Sequence, residues 1–185
     1  MYGMVNKAVE DMVANHHGEA TWERIKFKAG VEVDDFISNE GYPDETTHKL
    51  VGAASEILAL PAEQNLEDFG EHWVLHTATN GCGGLRNAGG DNLREFLLNL
   101  PNFHTRAAFV FPELHPPQFE CTQAGERLLV LPHRTHRPGL QHFVIGLLQG
   151  LGKRFSTPIT VQTIQSRTHG ADHDAFRVEW PEPAS

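Results

Sequence analysis

The chain has 185 residues and a formal net charge of −9, a length that suits one domain with a substantial core. Its acidic balance excludes a nucleic-acid role, which needs clustered Lys and Arg, and no apolar run approaches the roughly 18 residues of a membrane span. Cys82 and Cys121 are the only cysteines and form no CxxC, so they suggest neither a disulfide framework nor a structural zinc site. Met1, Tyr2 and Gly3 lead straight into an amphipathic pattern with no basic or cleavable apolar leader, so a cytoplasmic location is expected. Val5, Val9, Met12 and Val13 share one helix face, and Trp22, Ile25 and Ala29 share another. Pro43 and Pro61 mark helix starts, followed by helical segments over Leu50–Leu58 and Leu66–Leu75. Asn80–Gly84 reads as a loop, and Gly89, Gly90 and Asp91 supply a break and an N-cap before a helix over Asp91–Arg106. After Phe111 and Pro112 the texture changes. Phe119–Thr122, Arg127–Leu131, Ile159–Gln165 and Ala175–Trp180 are rich in β-branched or aromatic residues and read as strands, interrupted by a helix over Leu140–Phe155. Helices first and an antiparallel sheet later make an α+β pattern, and no Pro/Gly/Ser linker divides residues 1–185.

The helix before the sheet carries the residue of greatest chemical interest. Leu93, Phe96, Leu97, Leu100 and His104 follow helix-face spacing, so an apolar stripe ends in an imidazole. Such a histidine is either a core residue satisfied by a backbone carbonyl or a ligand to iron. The string His169–Asp174 offers His169, Asp172, His173 and Asp174, which reads either as a turn or as the metal cluster of a hydrolase. Gly81–Gly84 is followed by no Lys-Ser/Thr and is no phosphate loop.

Leu93–Cys121, LREFLLNLPNFHTRAAFVFPELHPPQFEC, resembles the haem nitric oxide/oxygen-binding (H-NOX) family, which includes the haem domain of soluble guanylate cyclase and stand-alone bacterial gas sensors. The resemblance also runs through residues 1–11, 42–45, 50–55, 69–74, 144–150 and 170–174, in order and over nearly the whole chain. It implies a single domain over residues 1–185, with an N-terminal helical distal part and a C-terminal proximal part containing an antiparallel sheet, closed over haem b. His104 matches the family's proximal iron ligand. The family's Tyr-x-Ser-x-Arg propionate motif falls on His133, Thr135 and Arg137, so the arginine and the hydroxyl persist while His133 replaces the tyrosine. The imidazole can donate a hydrogen bond but titrates differently, so haem retention is expected to depend on pH. Pro117 matches the proline that presses on the porphyrin. Cys121 reads as a small core residue.

Oxygen-binding relatives carry a distal tyrosine on the helix matching Leu140–Gly150. Alignment on Val144, Ile145 and Gly146 puts Phe143 there; an ungapped count from Arg137 puts His142 there. Phe143 is preferred, with Val5 and Leu147 lining the same pocket and Trp73 the one candidate donor. Bound dioxygen gains negative charge and needs a donor, whereas nitric oxide needs little such help. The resemblance therefore implies a non-enzymatic sensor of nitric oxide, also taking CO, in which the bond between iron and His104 weakens on binding. Its output is expected to pass to a separate histidine kinase or to a cyclic-di-GMP enzyme, a diguanylate cyclase or phosphodiesterase. The alternatives are a dioxygen sensor using His142 or Trp73, and the hydrolase above.

Overall fold

The computed structural model describes residues 1–77, 90–110 and 116–182. Cys82, the Asn80–Gly84 loop, Gly89, the Phe111–Pro112 boundary and Leu114 lie outside the described residues. The N-terminal half is helical: α1 (Gly3–His17), α2 (Glu19–Ala29), α3 (Asp44–Leu58) and α4 (Ala62–His72), the last running into a π-helical turn over Trp73–Thr77. Pro43 and Pro61 stand at the N-cap positions of α3 and α4, where a missing N–H leaves no bond unmade. The stripes converge on one apolar core, in which Val9, Val13, Trp22, Ile25, Leu50 and Phe69 are buried together.

α5 (Leu93–Leu98) and α6 (Leu100–Val110) replace the one continuous helix expected over Asp91–Arg106. Pro101 lacks the N–H that would bond Leu97, and its ring crowds that carbonyl, so the chain turns at Asn99. The N-cap is Asn92 rather than Asp91. Its side chain accepts from the Glu95 N–H, while the Asp91 N–H donates to the Glu95 carboxylate.

The sheet comprises β1 (Gln118–Phe119), β2 (Thr122–Gly125), β3 (Leu128–Arg134), β4 (Thr160–Gln165) and β5 (Asp174–Glu179). All pairings are antiparallel, in the order β1-β3-β5-β4, with β2 also on β3. The strand expected over Phe119–Thr122 is broken between β1 and β2. Gln118 pairs with Arg134 and Thr122 with Val130, which sets Glu120 opposite Pro132. Glu120 donates to the Pro132 carbonyl, but proline has no N–H to return the bond. β3 continues past that proline to Arg134 instead of stopping at Leu131 as expected, because β5 pairs with it as far as His133.

α7 (Gln141–Arg154) joins the halves. Its inner face meets the sheet in a second core that includes Leu97, Leu129, Leu131, Leu148, Phe176 and Val178. Its other face crosses α4 backbone to backbone. A Cβ on Gly146 would lie 2.0 Å from the Glu67 carbonyl oxygen, and one on Gly70 2.3 Å from that of Phe143. Only glycine permits this approach. Among the described residues, no helix is long and apolar enough to cross a membrane.

Candidate cofactor site

Between the helical half and the sheet lies a cavity of about 390 Å³. It gathers Val5 from α1, Trp73 from the π-helical turn, His104 from α6, His133 from β3, and Phe143 and Leu147 from α7. Pro117, Thr135 and Arg137 enter from the flanking loops. The nine residues that the resemblance assigns to the haem all line this one cavity. Leu66, Phe69, Phe119 and Leu140 are also in its wall and were not singled out, because apolar residues on a helix or strand announce only burial; Thr47 and His48 carried no motif.

His104 sits one turn beyond the Pro101 break. Its Nδ1 is buried and has no hydrogen-bond partner among the described residues. Among the described residues no backbone carbonyl meets this atom, as the core-histidine reading would require. Burial, then the neighbouring His133, pulls its pKa down to about 4, so the imidazole is neutral and its lone pair free for a metal. The Phe119 ring lies nearly parallel to it, with centroids 5.3 Å apart and planes at 12°. Phe119 in turn packs on His133 at 4.8 Å.

His133 is 1% exposed. Its Nδ1 lies 3.9 Å from the Asp174 carboxylate, beyond hydrogen-bond range, and has no partner among the described residues. Burial draws its pKa down to about 4 despite the pull of Asp174, with Arg167 adding to the depression. The imidazole is thus neutral near neutral pH, and the pH dependence expected from its titration moves into the acid range.

Arg137 follows β3 in a loop. Its Nε donates to Asp44 Oδ2 at 2.9 Å, and its backbone N–H to the Thr135 hydroxyl at 3.2 Å. Arg167 holds the same loop by donating to the carbonyls of Thr135 and Arg137. Burial alone would raise Asp44. Hydrogen bonds from the chain's amino terminus and from Arg137 outweigh it and keep the carboxyl below its ordinary range. Asp44 lay within a segment carrying the family resemblance, but nothing local signalled its pairing with a residue 93 positions away.

On the distal side Phe143, not His142, is among the lining residues. Its ring packs on Phe69 at 5.1 Å, and Phe69 meets Trp73 edge-on at 6.2 Å. The Thr47 hydroxyl donates to Asn6 Oδ1 at 2.6 Å. Phe143, Phe69, Val5 and Leu147 make this side largely apolar, while the Trp73 indole and the His48 imidazole also line the cavity.

These features fit a haem: a buried neutral imidazole with no hydrogen-bond partner on Nδ1 among the described residues, a largely apolar chamber, and an arginine and a hydroxyl at one edge for carboxylates. The His169–Asp174 string forms a short 3-10 turn, with Gly170 left-handed, and the lead into β5. Asp174 accepts from the Arg167 N–H, and Asp172 pairs with Arg134 and His173. Among the described residues no three His, Cys, Asp or Glu side chains are placed to hold a metal ion.

A family model described as Haem-NO-binding matches residues 2–163. The chain is similar to soluble guanylate cyclase gcy-32 of Caenorhabditis elegans, 30% identical over 177 residues that make up 94% of this chain and 26% of that protein. It is also similar to soluble guanylate cyclase gcy-31 of the same organism, 26% identical over 165 residues, 89% of this chain and 24% of that protein. The chain spans about a quarter of the length of these curated relatives. Its fold matches an H-NOX protein from Shewanella oneidensis in the Fe(II)NO ligation state, with a TM-score of 0.89 at 19% identity, covering 98% of this chain and 100% of that one.

Proposed function

The chain belongs to the haem-NO-binding family, a haem-based gas-sensing fold that is not itself catalytic, and we propose that it is a nitric oxide sensor built on haem b. The observation that carries this reading is one cavity holding a neutral imidazole, His104, whose Nδ1 has no hydrogen-bond partner among the described residues, together with an apolar phenyl ring, Phe143. Ferrous haem, when bound, supplies an iron centre that takes a diatomic gas.

The chain's own residues do the rest. His104 would supply a nitrogen to the iron. Arg137 and the Thr135 hydroxyl would hold the propionates, with His133 as a neutral neighbour, and Pro117 would pack against the macrocycle. Phe143, Val5 and Leu147 keep the distal chamber apolar and leave the Trp73 indole N–H as the one candidate donor to bound dioxygen among them, which favours nitric oxide and CO. Residues 1–185 act as one sensing domain. The output is a change of shape, because α6 carries His104 and is hinged at Asn99. It is read by a signalling protein, a histidine kinase or a cyclic-di-GMP enzyme, in the cytoplasm.

Purified protein should contain haem and, once ferrous, show the absorption changes of NO and CO complexes without a stable oxy spectrum in air. A stable oxy complex would replace this reading with a dioxygen sensor. Absence of haem on reconstitution would remove both.

A further inference from the structure

A second cavity, of about 330 Å³, lies on the far side of α4. Four imidazoles line it: His16 and His17 from the end of α1, His72 from the end of α4, and His76 from the π-helical turn. Two carboxylates join them, Asp68 and Glu71, and no Lys or Arg does among its described lining residues. Glu71 is engaged by Lys153, whereas Asp68 accepts a hydrogen bond from the neutral amide of Gln64. The wall is therefore rich in soft nitrogen donors with carboxylate charge beside them, a composition suited to a cation.

The spacing is that of a chelate. Asp68, His72 and His76 recur at four-residue intervals and so project along one helix face, as paired metal-binding histidines do. The π-helical turn begins between the two histidines, a rare local geometry that recurs at functional sites. It brings the two rings within 4.6 Å of each other, and His16 on the facing helix comes within 6.4 Å of His72. His72 is 6% exposed, and its Nδ1 is buried without a hydrogen-bond partner among the described residues. Buried imidazole nitrogens ordinarily find partners. Burial first, then His76 and His16, draws its pKa to about 4, leaving it neutral and able to ligate.

We propose that this cavity is a metal site distinct from the haem cavity, binding a divalent transition-metal ion of the zinc class. His72 and His76 form the helix-borne pair, and His16 and Asp68 close the site from either side. In their present positions no three of these groups meet at one point. Binding therefore requires side-chain rotation, which the exposed His16, Asp68 and His76 are free to make around the buried His72. Imidazole nitrogen with carboxylate oxygen suits zinc, nickel or copper rather than calcium or magnesium. His72 and His76 flank Trp73, which lines the larger cavity, so the ion would join α1 to the segment forming part of the distal wall.

The test is calorimetric titration of Zn²⁺ into the protein as purified, at neutral pH. One ion per chain is expected, with affinity reduced about tenfold or more in His76→Ala and in His16→Ala. Both side chains are exposed, so these variants retain the fold, which circular dichroism checks. His173→Ala, which removes the exposed His173–Asp172 pair, is expected to bind as the wild type does. No binding by the wild type, equal affinity in His76→Ala and His16→Ala, or loss in His173→Ala would each overturn the proposal.

Discussion

His142 places its Nδ1 2.8 Å from the Glu67 carboxylate, binding α7 to α4 beside the point where the two backbones cross at Gly146. Its neighbour Phe143 is the residue that enters the large cavity. Successive residues on a helix point about a quarter-turn apart, so one joins the interhelical pair while the other lines the cavity.

Gas selectivity follows from that division. The ferrous wild type should bind NO and CO yet form no stable oxy complex, and His142→Ala should leave this unchanged. Phe143→Tyr introduces a hydroxyl at the cavity and should extend the lifetime of any oxy form, since a buried donor to a charged acceptor contributes about 1.5–3 kcal/mol. Stopped-flow or visible spectra in air decide it. An oxy complex in the wild type that disappears in His142→Ala would mean that this imidazole reaches the gas.

If His104 is the axial ligand, His104→Gly should retain haem poorly unless imidazole is supplied in solution. With imidazole present, the tie between iron and α6 is gone. Amide hydrogen exchange over Leu100–Arg106 should then rise relative to the wild-type haem protein, because that stretch is hinged at Asn99 and loses its only proposed link to the cofactor. Unchanged haem content without imidazole, or unchanged exchange, counts against the assignment.

Arg137→Ala should accelerate haem transfer to an apo-acceptor more than Thr135→Ala does, since it removes the charged partner of a carboxylate. It also leaves Asp44 without its guanidinium, so the Asp44 carboxyl pKa should move upward, measurable by NMR titration. Haem loss indifferent to Arg137→Ala would place the propionates elsewhere.

His133 makes stability depend on pH with a definite sign. Its folded pKa of about 4 lies below the ordinary 6.5, so the unfolded chain binds the extra proton first. Its contribution is fully present above pH 6.5 and is lost as the pH falls towards 4. At about 1.4 kcal/mol for each of the roughly 2.5 pH units between the two values, the loss at the acid end is on the order of 3 kcal/mol. Urea denaturation across this window should show a shallower acid decline for His133→Tyr, because tyrosine does not titrate there. Parallel declines in the two proteins would show that His133 is not the group responsible.

The sequence by itself determined the order of elements and the face each presents. Apolar periodicity is a local property of the chain, which is why Val9, Ile25, Leu97 and Leu148 lie in the two cores and His104 terminates its stripe. Even so, local reading missed two breaks. One lies at Pro101, whose effect falls on a carbonyl four residues earlier, and the other at Glu120, whose missing bond belongs to Pro132 on the opposite strand. The chain order of the motif residues located the candidate site; their meeting in one cavity had to come from topology. The tertiary structure alone decided that Arg137 is paired with Asp44, that His142 belongs to Glu67, and that His104 and His133 are neutral. Those outcomes depend on which distant surfaces come together and how far water is excluded, and neither quantity is carried by any short window of residues.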